Sequence, residues 1–187
     1  MWWGVLAVSV ALILILAIIS TYNGLVKARN RVKNSWSQID VQLKRRFDLI
    51  PNLVETAKGY AAHEKGIFDE FAKARNAFSQ ANNQGDVQKM AQANDALGGV
   101  LTRLMAVSES YPDLKADKNF GKLMDELKTT EDKIAYSRQF YNDVVLTFNN
   151  LREVFPKNIV ANMFNFEKAD LFKINESEKE NVTVSFS

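Results

Sequence analysis

The chain contains no cysteine. Disulfides, thiolate nucleophiles, thiolate-bound zinc and iron–sulfur clusters are therefore excluded. His63 is the single histidine, so neither a histidine-based triad nor a multi-histidine metal site can form within one chain. The surrounding "HEKGI" lacks the second histidine of a zinc-protease helix. Three prolines and eight glycines in 187 residues suit long helices better than many short strands. There is no phosphate-cradling glycine loop and no G-x-S-x-G elbow. Gly98 and Gly99 fall inside a helical pattern and read as close-packing positions. No charged side chain precedes Lys27.

That uncharged stretch is the most apolar part of the chain. Residues Trp2 to Ile19 read "WWGVLAVSVALILILAII". At about 1.5 Å per residue such a run can cross a hydrocarbon core of about 30 Å. Trp2 and Trp3 stand at one end and Tyr22 at the other, as interfacial aromatic belts do. A cleaved signal peptide is the alternative. It fits less well, because the basic leading region is missing, the apolar run is long and no A-x-A site follows. Cations cluster after the run and not before it: Lys27, Arg29, Arg31 and Lys33. This asymmetry places the N-terminus outside and the bulk of the chain in the cytoplasm, with a periplasmic or extracellular bulk as the alternative. The same four residues are candidate contacts for anionic headgroups. The overall charge of +2 is too balanced for nucleic acid, and the cations are not interleaved with exposed aromatics.

Beyond the span, apolar residues recur at steps of mostly three and four: Leu25, Val32, Trp36, Ile39, Leu43, Phe47, Ile50, Val54, Ala57, Tyr60, Ile67, Phe71, Phe78. The stripe keeps its phase through Pro51, in "QLKRRFDLIPNLVE". One helix is therefore expected from the membrane to about Ala81, kinked at Pro51, with a break capped by Asp48 as the rival. Lys44, Arg45 and Arg46 form a cationic patch close to the bend. "NNQGD" is a turn. A second stripe runs from Val87 to Tyr111 and is stopped by Pro112, with "YPDLKADKN" as a loop. A third runs from Phe120 to Leu151, and a short amphipathic helix, "PKNIVANMFNF", follows Pro156. These helices should pack antiparallel. Glu64, Glu131 and Arg138 interrupt the apolar stripes. They read as edge residues or an internal ion pair that fixes register, with a functional polar site as the alternative.

Four stretches resemble the LemA family of bacterial membrane proteins: "YNGLVKARNRVKNSWSQIDVQLKRRFDLIPNLVETAKGYAAHE", "SESYPDLKADKNF", "TEDKIAYSRQFYNDVVLTFNN" and "PKNIVANMFNFEKADLF". The resemblance implies an all-α chain: a single N-terminal transmembrane helix followed by an antiparallel bundle of long helices. It implies a bacterial inner-membrane location but no activity and no catalytic residue. The resulting expectation is an anchor over residues 1–21, a helical bundle over 22–166 and a tail over 167–187. The tail ends in "NVTVSFS", whose strict alternation of Val182, Val184 and Phe186 is a strand pattern, with a disordered tail as the alternative. A lone strand needs an edge, and the same tail on a neighbouring copy offers one.

The leading functional expectation is a non-enzymatic membrane scaffold without cofactor or metal. Such a scaffold would contact lipid headgroups, form a homo-oligomer or dock a membrane protein. One alternative is an adaptor or regulator of a membrane enzyme such as a metalloprotease, suggested by the family resemblance. The other is an enzyme using Glu64, Glu131 and Arg138 inside the bundle.

Overall fold

The computed structural model describes residues 2–173. It consists of α1 (Trp2–Tyr60), α2 (Lys65–Gln84), α3 (Val87–Ser110), α4 (Pro112–Ala116), α5 (Lys118–Glu153) and α6 (Lys157–Met163). The fold is all-α, and no strand occurs among the described residues. The alternating segment with Val182, Val184 and Phe186 lies outside them.

Contacts divide the chain into two units. The first holds residues up to Ile39 together with Ser137–Leu171. The second holds Asp40–Tyr136 together with Phe172 and Lys173. The division falls within α1 and within α5, so each of these helices contributes to both.

Helix α1 runs without interruption through Pro51. Proline removes one N–H and crowds the carbonyl of Phe47, at a cost of about 3 kcal/mol. Burial of the neighbouring face offsets it: Ile50 and Leu53 are fully buried and Val54 nearly so. The expected continuation to Ala81 is corrected. Helix α1 ends at Tyr60, and a tight turn reverses the chain before α2. In that turn Glu64 N–H donates to the Ala61 carbonyl and Ile67 N–H to the Glu64 carbonyl. The apolar stripe stayed in phase because both helices face the same core. The seven-residue gap between Tyr60 and Ile67 concealed the reversal.

In the second unit α1, α2, α3 and α5 make a four-helix bundle. Phe47 stacks on Phe78 with ring centroids 4.9 Å apart, while the Lys58 ammonium lies 5.6 Å from the Phe68 ring, so α2 runs antiparallel to α1. Glu70 pairs with Arg103, which sets α3 antiparallel to α2. Arg45 pairs with Glu126 and Tyr60 with Asp117, which sets α5 antiparallel to α1. Gly85 ends α2 at φ 65°, a left-handed conformation that costs glycine little. Asp86 then caps α3 by accepting from the N–H groups of Gln88 and Lys89.

The expected loop after Tyr111 contains the single turn α4. Pro112 opens it, where a missing N–H costs nothing, and Leu114 beneath is fully buried. Asp117 caps α5 through Asn119 and Phe120 N–H, each at 2.8 Å. Those bonds, Phe120's foremost, and the Tyr60 hydroxyl hold its carboxyl below the ordinary range.

In the first unit Leu25, Phe148, Val160, Ala161 and Phe166 form a buried cluster joining α1, α5, α6 and the segment after α6. That segment is not helical, so its backbone needs other partners. Asn149 supplies two: its amide nitrogen donates to the Ala169 carbonyl at 2.9 Å, and its oxygen accepts from Ala169 N–H at 3.0 Å. Arg152 Nε donates to the Phe166 carbonyl at 2.7 Å and the Tyr141 hydroxyl to that of Asp170 at 2.9 Å. Burial, and then the Asp170 charge, push the Tyr141 phenol up to about 12. These bonds hold the segment to α5 as far as Asp170.

Candidate functional site

Two regions carry the residues singled out by the sequence. The first is the apolar start of α1. Every residue from Trp2 to Ser20 is exposed, including Leu6, Leu12, Ile13 and Leu16. Nineteen residues of that composition have no reason to face water. The segment is long and apolar enough to cross a membrane, and none of its best window is buried against the protein. Lys27, Arg29, Arg31 and Lys33 follow it, all exposed. Arg29 also rests over the Phe166 ring, 5.1 Å from its centroid.

The second region is the interior of the four-helix bundle, around Arg46. Arg46 is 3% exposed. Its Nη1 donates to the Asn94 side-chain oxygen at 2.5 Å and to the Asn94 carbonyl at 3.3 Å. Its Nε lies 2.7 Å from Glu131 Oε1, an ion pair whose acid end is 40% exposed. Burial lowers the Arg46 pKa from its ordinary value, against the opposing pull of Glu131 and Asp95. Gly98 makes room for the head group: a Cβ there would stand 3.1 Å from Arg46 Nη2. The arrangement ties α1, α3 and α5 together.

The expected cationic patch does not hold together as a surface. Lys44 is exposed, Arg45 is paired with Glu126 at 2.6 Å, and Arg46 points inward. Pro51 instead lines a groove of about 290 Å³ between α1 and α2, with Val54, Phe68, Phe71 and Arg75. The three acids and bases that interrupt the stripes also separate. Glu131 joins Arg46. Glu64 precedes α2 and accepts a long 3.5 Å bond from the Tyr111 hydroxyl. Arg138 belongs to the first unit and is half-buried there.

Arg46 as a core residue was missed, although a signal for it exists. Ile39, Leu43, Ile50, Leu53 and Ala57 are all fully buried and follow steps of four, seven, three and four. Position 46 fills the step of seven. Three adjacent cations cannot share one face of a helix whose residues turn by about 100° each. The one in phase with the buried stripe is Arg46, three residues after Leu43 and four before Ile50. No group of three or more histidine, cysteine or acidic side chains able to hold a metal occurs among the described residues.

The chain is 28% identical over 182 residues to "Magnetosome protein MamQ 2" of Paramagnetospirillum magneticum, covering 85% of this chain and 67% of that protein. It is 26% identical over 194 residues to "Magnetosome protein MamQ" of Magnetospirillum gryphiswaldense, covering 89% and 71%. It is 26% identical over 163 residues to "Protein LemA" of Metamycoplasma hominis, covering 87% and 74%. The sequence profile of the LemA family matches residues 35–186, from the middle of α1 through the bundle and beyond the last described residue; the chain belongs to the LemA family.

Proposed function

We propose that the protein is a non-enzymatic scaffold of the inner membrane, anchored by the start of α1, which self-associates or docks a membrane protein through its cytoplasmic bundle. One observation carries this reading: the buried polar side chains are spent on holding the chain to itself. Arg46 holds Asn94 and Glu131. Asn149 holds the backbone of Ala169. A catalytic site instead needs acids, bases or donors aimed at a space where a substrate can sit. The names of the relatives are not names of enzymes either.

The orientation rests on Lys27, Arg29, Arg31 and Lys33, all after the span. Protease added outside intact spheroplasts should leave the bundle whole, and digest it once the membrane is opened. Cleavage beyond Lys27 in intact spheroplasts would show the bundle to be outside. Association itself is read from the mass of the membrane-embedded species, as set out at the end of the Discussion.

A further inference from the structure

Helix α6 buries one side and leaves the other bare. Val160 and Ala161 enter the cluster with Leu25 and Phe148. On the opposite side, in the preceding turn and just past the helix end, Val154 is 55% exposed, Phe155 74%, Ile159 53%, Met163 60% and Phe164 47%. Five large apolar side chains within eleven residues are more than scattered surface residues and mark an interaction surface.

Their position identifies the partner. The Phe164 ring lies 4.8 Å from that of Tyr22, which follows the last apolar residue of the span, Ile19, by three positions. The exposed apolar surface of the span therefore continues onto this patch. The course of α5 agrees. Trp36 meets Tyr141, and Leu25 shares a cluster with Phe148, so α5 descends toward the span antiparallel to α1. Helix α5 ends at Glu153, five residues beyond Phe148, which at a rise of about 1.5 Å per residue brings it level with Ser20, and the turn with Phe155 follows directly. At the turn itself the acid is paired: Glu153 lies 3.7 Å from Lys168 and 3.8 Å from Arg152, while Glu167 beyond the patch is exposed.

We propose that the α5–α6 turn and α6 form a second membrane-contact element, with Val154, Phe155, Ile159, Met163 and Phe164 seated in the interfacial layer of the bilayer beside the emerging span. The element works as interfacial amphipathic helices do: apolar side chains enter the boundary below the headgroups, and aromatic rings sit at that depth. It fixes the first unit against the lipid surface at a second point. The inference rests on the anchored reading of α1.

The absence of cysteine makes a direct test available. Single cysteines replace Leu12 in the span, Phe155 and Met163 in the patch, and Lys128 on an exposed face of the second unit; each carries an environment-sensitive fluorophore in the full-length chain. The chain is reconstituted in phosphatidylcholine vesicles with nitroxide-labelled acyl chains, and iodide serves as the aqueous quencher. Labels at Phe155→Cys and Met163→Cys should emit to the blue of Lys128→Cys, lose most of their intensity to the lipid nitroxide and resist iodide, as Leu12→Cys does. Iodide quenching equal to that of Lys128→Cys would overturn the inference while leaving the anchor intact. Shielding from both quenchers would overturn it too, by showing that protein covers the patch. Iodide access at Leu12→Cys would remove the anchor, and this inference with it.

Discussion

Arg46→Ala is expected to destabilise the second unit by about 3–5 kcal/mol, the range for removing one partner of a buried ion pair. The substitution takes from the Asn94 side-chain oxygen its Arg46 donor and removes the cation beside Glu131. Because Glu131 is 40% exposed it can recover some hydration, which favours the lower end of that range. Arg46→Lys should recover only part, since an ammonium lacks the planar fork that reaches Asn94 and Glu131 together. Gly98 supplies an internal control. In the native background Gly98→Ala gains helix propensity of about 1 kcal/mol but crowds Arg46 Nη2, 3.1 Å from the new Cβ. With Arg46→Met the crowding is relieved, so Gly98→Ala should then stabilise. Thermal melts of the four proteins in one detergent, arranged as a double-mutant cycle, measure this coupling. An Arg46→Ala protein that melts with the native one would show that the buried pair does not hold the helices together.

Phe148→Ala is expected to cost about 3–5 kcal/mol, the range for truncating a buried phenylalanine, and to act on the first unit. Phe148 is 2% exposed and shares its cluster with Leu25, Val160, Ala161 and Phe166. The segment after α6 is otherwise held chiefly by four side-chain bonds to its backbone, the burial of Phe166 under Arg29, and the Lys168–Glu153 pair. Losing about 3 kcal/mol of local stability raises amide hydrogen exchange roughly a hundredfold where opening is local. The rise should appear across residues 157–170 and be much smaller in α2 and α3. Equal acceleration in α2 and α3 would show that the two units open as one.

These two sites differ in how far the sequence disclosed them. The cluster around Phe148 was legible, because Phe148 and Leu25 stand on long stripes with helical spacing. Pro156 also marks the end of α5, which stops at Glu153. The Trp2–Ile19 run was legible for a simpler reason: an uncharged run of that length admits few fates. The Ala61–Glu64 reversal was not legible, since no Gly-Asn or proline signal marks it and the apolar phase passes through it. Arg46 was obscured by its neighbours: adjacent cations read as a patch until each is assigned its own direction on the helix. The clamps from Asn149 and Arg152 depend on a return of the chain after α6. Periodicity describes single helices and carries no information about such a return.

The central claim is that the anchored chain works as an assembly, and the mass of the species held in native membrane tests it most directly. One chain weighs 21.2 kDa. Extracted in polymer-bounded nanodiscs without detergent and weighed by native mass spectrometry, the protein should appear as integer multiples of that mass above one, or as a defined complex with a second membrane protein. A single 21.2 kDa chain at every expression level and protein-to-lipid ratio, with no partner retained, would contradict the account.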